Sequence, residues 1–217
     1  MADNYLEKRY EEVFGQKTKV KRIGHTLDEL LLRNRSHRGY LKDFVVSRDM
    51  LERIVSVNTK IPSWCNQQAL RFKLITKGIE AEKVLSMVKM GAALPELHLP
   101  IAGTEPEAFI ICCTTIPEFR GVDIDLGISL QSMCLKAVEM GLNGLIIGNY
   151  NRQHLQEELH LPYDPVAVLA IGKGTEKIEL VPIDPSDTRS VKASHAYYRS
   201  DGVHYVPKVQ LKDLIID

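Results

Sequence analysis

Helical and strand-like spacings of apolar residues alternate along this chain, with turn residues between them. Residues 26–33 and 47–57 each open on a hydroxyl residue and then place apolar side chains every third or fourth position, as amphipathic helices do. In the first, Thr26 and Glu29 have capping-box spacing; in the second, Met50, Leu51, Ile54 and Val55 form one stripe. Residues 4–14 and 79–90 read as further helices. Residues 70–76 alternate like a strand, and the unbroken apolar run 108–114 suits a strand covered on both faces. Pro95, Pro100 and Pro106 make 91–106 a loop. Helix 123–140 is apolar on nearly every side, so it belongs at the centre of the protein or at a subunit contact, and Gly141 closes it. A strand (145–147), a helix (152–159) and another strand (167–171) follow. Residues 183–206 show no firm period and predict an arm lying over a surface, ending in a short amphipathic piece at 211–216.

Strands alternating with helices predict an α/β or α+β chain, and 217 residues are enough for one sizeable domain. A long tail with little structure of its own is unusual in an isolated domain; wrapping it around a second copy would explain it. Lys and Arg total 28 and Asp and Glu total 28, interleaved throughout, so no broad field attracts nucleic acid or a membrane surface. Any anion must be held by a local cluster. No apolar run approaches the roughly 20 residues needed to cross a bilayer. The polar start and four cysteines without CxxC spacing predict a reduced, cytoplasmic protein lacking zinc and disulfides. The seven histidines show no paired metal spacing, so no metal is assigned.

Two polar stretches carry the candidate chemistry. Arg35-Ser36-His37-Arg38 alternates guanidinium with hydroxyl just after a helix, a plausible cradle for a phosphate. Pro62-Ser63-Trp64-Cys65-Asn66-Gln67-Gln68 sets hydrogen-bonding groups at the mouth of a strand, where a planar heterocycle could lie. A flavin mononucleotide combines both demands. Each stretch also has a plainer reading: cations complementing a helix C-terminus, and Ser and Asn satisfying a turn.

With these motifs the chain resembles the FMN-dependent nitroreductase family, from about Leu27 to about Lys208. Further blocks carry the likeness: Asp125-Leu126-Gly127-Ile128 through Leu135, Ala137 and Gly141-Leu142; Ile147-Gly148-Asn149-Tyr150; and Ala170-Ile171-Gly172-Lys173-Gly174. The resemblance implies an α+β three-layer sandwich, a central, mostly antiparallel sheet flanked by helices, in an intertwined homodimer. Residues 1–217 would form one FMN-binding domain whose arm, about 183–217, embraces the partner, with FMN at the subunit interface. It implies an enzyme taking hydride from NADH or NADPH and passing it to a nitroaromatic, a quinone or a similar small acceptor by ping-pong kinetics. Other flavin chemistry on the same scaffold, or a non-catalytic flavin-binding dimer, are the alternatives.

By the same resemblance, Arg35 and Ser36 would bind a phosphate carrying about −1.5 to −2 charges, with Lys208 adding a cation. Arg38 would stabilise negative charge near N1 of the ring. Pro62, Ser63 and Asn66 would meet the flavin held mainly by the partner, and Trp64 would line the acceptor side or lie buried at the dimer contact. Gly148 and Asn149 would present backbone N–H groups to N5 and O4, with Ile146 and Ile147 cushioning the ring. No acid–base pair stands out, and the cofactor's chemistry requires none. Asn34 stands where the family commonly has its first arginine. His98, in the 94–103 loop, either replaces a polar pair found in some relatives or is an ordinary surface histidine.

Overall fold

A computed structural model describes residues 24–91, 97, 99–183 and 195–216. The helix expected at 4–14 and His98 lie outside the described residues. Helix α1 (Leu27–Arg33) has the expected capping box: Glu29 N–H donates to Thr26 Oγ1 at 3.2 Å, and Thr26 N–H to Glu29 Oε2 at 2.8 Å. Helix α2 (Arg48–Val55) is capped by Ser47, whose Oγ accepts from Met50 N–H at 3.3 Å. Two short 3-10 turns, Ser56–Thr59 and Trp64–Asn66, lead to strand β1 (Leu70–Ile75) and helix α3 (Ile79–Met87). Then come β2 (Ala108–Thr114), the long helix α4 (Arg120–Glu139), β3 (Asn143–Ile147), α5 (Arg152–Glu158) and β4 (Asp164–Gly172).

These four strands form one antiparallel sheet in the order β1-β2-β4-β3. Strand alternation divides the core between its faces. Phe109, Ile111 and Cys113 of β2 join Val84 and Met87 of α3 and Leu155 of α5. Ala108, Ile110 and Cys112 face the other way, among Leu51 and Ile54 of α2 and Leu130, Met133 and Ala137 of α4. Helices therefore cover both faces, and every residue of β2 is buried, as its unbroken apolar run predicts. The expected α+β, three-layer arrangement is what the chain forms. Helix α4 buries one side against the sheet and leaves Ile124 exposed on another.

The tail is more ordered than its sequence suggests. Strands β5 (Lys177–Pro182), β6 (Tyr198–Ser200) and β7 (Val203–Lys208) form a second sheet, ordered β5-β7-β6, with β5 and β7 parallel. The expectation of an unstructured stretch over 183–206 is thus wrong at its C-terminal end. Asp201 and Gly202 both take positive φ, 50° and 76°, as a two-residue type I′ hairpin requires. Alternation in β7 is hidden because the inward residue is a histidine, His204. A 3-10 turn, Leu211–Asp213, follows. Among the described residues, no helix is long and apolar enough to cross a membrane.

Candidate functional site

The segment after α1 is fixed to the sheet edge mainly through its backbone. His37 N–H donates to Gly144 O at 3.3 Å, Tyr40 N–H to Thr104 O at 2.9 Å and Leu41 N–H to Lys173 O at 2.8 Å. Both Arg38 N–H and Gly39 N–H donate to Glu176 Oε2, the latter at 3.2 Å. Such a close passage explains the glycines of Ile171-Gly172-Lys173-Gly174. A Cβ on Gly172 would sit 2.5 Å from the Tyr40 ring, and one on Gly174 would run into the His37 imidazole. These glycines serve packing between segments.

Held this way, Arg35, Ser36 and Arg38 line a cleft of about 420 Å³ together with Asn34, Gln131 and Cys134 of α4, and Gly144 and Ile146 of β3. The small sheet closes it with Ile178, Tyr197, His204, Val206 and Lys208. Arg35 Nη2 donates to Leu31 O at 2.6 Å and Arg38 Nη1 to Ser36 O at 3.1 Å. The Nε atoms of both arginines are buried without an acceptor among the described residues. Among the described residues, no ion pair engages Arg35, Arg38 or Lys208. Burial holds the Arg35 pKa below its ordinary value, yet a guanidinium stays charged in a protein. Two buried, uncommitted donors would cost about 1–3 kcal/mol each if left unsatisfied. An anion with several acceptor oxygens, such as a phosphate, fits this donor set. Asn34 turns to α4, its Nδ2 donating to Gln131 Oε1 at 3.2 Å.

His37 and His204 lie behind the arginines. Burial lowers both pKa values; Arg38 pushes the same way, and Glu176 opposes. His37 Nδ1 is buried without a partner among the described residues. Neutral imidazoles next to an arginine pair keep the local charge from mounting further.

The second stretch is built elsewhere. Pro62, Ser63 and Gln68 line a separate cleft of about 560 Å³ with Val55, Ile61, Leu70, Phe72, Asp125 and Ser129. The two clefts share no residue, and α4 runs between them: Asp125 and Ser129 face one, Gln131 and Cys134 the other. The loop is held firmly. Trp64 N–H donates to the buried Asp125 carboxylate at 2.6 Å, Gln68 N–H to Ser63 Oγ at 3.2 Å, and Gln68 Nε2 to Asn66 Oδ1 at 3.0 Å. Cys65, Asn66 and Gln68 take φ of 48°, 54° and 49°, strain that persists where surroundings over-determine the backbone. Trp64 stays 44% exposed and leans over Gly121, where a Cβ would come within 2.8 Å of the indole and 2.5 Å of the Phe119 ring.

Strand β3 corrects one expectation. Ile146 opens onto the arginine cleft at 47% exposure, whereas Ile147 is 3% exposed in the core beside α3 and α5. Successive strand residues face opposite ways, so the Ile147 side chain cannot share the cushioning role. Gly148 and Asn149 lie just beyond β3, with Asn149 O accepting from Lys89 N–H at 2.9 Å. Gln131, Tyr197, His204 and Glu176 join the site without having stood out in the sequence. The Asp201-Gly202 turn was the available signal for the strand carrying His204; nothing local marks the others.

Comparison with known proteins follows the same outline. The Nitroreductase family matches residues 31–173. Solved structures share the fold, among them a nitroreductase family protein from Clostridium difficile 630 (23% identity, covering 81% of this chain and 99% of that one, TM-score 0.55). A mutant of an FMN and NADPH-dependent nitroreductase from sphigopyxis sp. strain HMH gives 21% identity over 69% and 88%, TM-score 0.58. An FMN-dependent nitroreductase from Clostridium difficile R20291 gives 18% over 70% and 89%, TM-score 0.57. None of the curated proteins matches. The chain belongs to the nitroreductase family.

Proposed function

We propose that the protein is an FMN-dependent oxidoreductase working as a homodimer with two shared sites. The carrying observation is that the phosphate-fitting cluster and the Pro62, Ser63 and Gln68 side of the 62–68 loop line different clefts on either side of α4. If one ligand uses both, two chains supply them. The exposed Ile124 on α4, and Leu211, Leu214, Ile215 and Ile216 in the tail, offer apolar surface for that contact. Because β6 and β7 form a sheet with β5 of their own chain, the stretch beyond Lys208 would be the part of the arm that reaches across it.

In this reading Arg35, Ser36 and Lys208 grip the phosphate, and Arg38 sits beside the pyrimidine edge of the ring as a fixed positive charge. Ile146 offers an apolar floor, and the N–H groups of Gly148 and Asn149 orient the ring edge. Pro62, Ser63 and Asn66 come from the partner, and Trp64 shapes the acceptor side, where flat molecules gain from stacking. Bound FMN would supply the redox chemistry, taking hydride from NADH or NADPH and delivering it to a nitroaromatic, a quinone or a similar acceptor in alternating turns. The protein's own part is to position donor and acceptor over one face and exclude water. FMN- and NADPH-dependent relatives of the same fold support the choice of cofactor and donor.

The test is a visible spectrum of the purified protein with FMN, before and after anaerobic NADH and NADPH. Flavin bands that persist through gel filtration and bleach on addition of a nicotinamide support the proposal. A protein that stays colourless with excess FMN contradicts it.

A further inference from the structure

Arg38 presents an unusual arrangement. It is 8% exposed, yet among the described residues no carboxylate pairs with its guanidinium. The acid acting on this cluster, Glu176, directs Oε2 to the backbone N–H groups of Arg38 and Gly39. What lies against the guanidinium is an aromatic face: Cζ of Arg38 sits 4.7 Å from the Tyr197 ring centroid. Tyr197 stacks on His204, with centroids 5.0 Å apart and planes 29° from parallel. His204 is itself buried, on β7 opposite Arg199 of β6 and Ile178 of β5. All three side chains, Arg38, Tyr197 and His204, line the arginine cleft.

An ion pair and a π face hold a guanidinium differently. A carboxylate would occupy the N–H fork and cancel the charge. A ring lies against the flat side, fixes the plane and leaves the in-plane donors free. Here Nη1 spends one bond on Ser36 O, and Nε has none. Neutral His204 suits the role, because burial and Arg38 both lower its pKa; a protonated ring would repel the cation it supports.

We propose that Tyr197, backed by His204, is a positioning residue that keeps the Arg38 guanidinium in the cleft with its charge unneutralised and its Nε–H available to an anionic ligand. The inference rests on the flavin mononucleotide reading for the identity of that ligand, but not for the geometry. The β6–β7 hairpin thereby gains a role, since it delivers the shelf on which the arginine lies.

FMN affinity, measured by quenching of flavin fluorescence, is compared in Tyr197→Leu, Tyr197→Phe, Arg38→Ala and the Arg38→Ala/Tyr197→Leu double variant. Tyr197→Leu should weaken FMN binding about tenfold, and Tyr197→Phe, which keeps the π face, should stay within about twofold of wild type. In the Arg38→Ala background, Tyr197→Leu should add no further loss. Equal losses in both backgrounds, or wild-type affinity in Tyr197→Leu, would overturn the positioning role. The rise in Tm caused by inorganic phosphate, which without a flavin ring in the cleft is free to settle against Arg38 as well as Arg35, reads the same cycle without flavin. If wild type takes up no FMN, the flavin reading fails, and the phosphate cycle still decides whether Tyr197 acts through Arg38.

Discussion

Two arginines of one cleft are held in different ways, Arg35 by a main-chain carbonyl of α1 and Arg38 by a main-chain carbonyl and a tyrosine face. Arg35→Ala should weaken FMN retention more than it slows flavin reduction, and Arg38→Ala should do the reverse. Stopped-flow reduction alongside FMN titration separates them; indistinguishable effects would remove the division of labour. Packing predicts a contrast between two glycines. Gly174→Ala drives a methyl into the His37 ring and should cost about 1–3 kcal/mol in chemical denaturation, whereas Gly148→Ala meets nothing within 4 Å and should stay within about 0.5 kcal/mol. The buried histidines set a pH dependence. His37 and His204 are depressed below their ordinary 6.5 by burial, so the unfolded chain binds more protons there. Stability is then fully present above about pH 6.5 and is lost as pH falls through the folded values. Denaturation at pH 7.5, 6.5 and 5.5 checks this, and a flat profile would contradict it.

At the scale of elements, what was legible followed from local physics. Capping at Thr26 and Ser47, the alternation in β1 and the fully apolar β2 each state their structure in a few adjacent residues. Arg35, Ser36 and Arg38 meet in one cleft from neighbouring positions, whereas Lys208, which arrives from the far end of the chain, was expected beside them only through the family resemblance. Strands β6 and β7 were missed because an inward histidine broke the apolar period that would have announced them. Ile147 was misjudged as a ring contact because a motif was read as a block, when β3 sends neighbouring side chains to opposite faces. Asp125 could not be understood from sequence, since its partner is a backbone N–H 61 positions earlier. It anchors the strained 62–68 loop to α4. Asp125→Ala should lower stability by about 2 kcal/mol and speed hydrogen exchange at Trp64, while variants of exposed Glu52 should do neither.

For the whole molecule, one geometric fact organises the account: α4 runs between two clefts that share no lining residue. In the proposed dimer the loop of one copy would be set against the arginines of the other. Mixing defective chains tests this directly. Arg35→Ala chains and Ser63→Ala/Asn66→Ala chains, carrying different tags, are co-expressed and the doubly tagged hybrids purified. Each hybrid pairs one site carrying both lesions with one carrying neither. FMN titration should find about one tight site per hybrid dimer, against about two in wild type and little tight binding in either parent. Hybrids that bind no better than the parents would show that each site is built within one chain, and the shared-site account would fall.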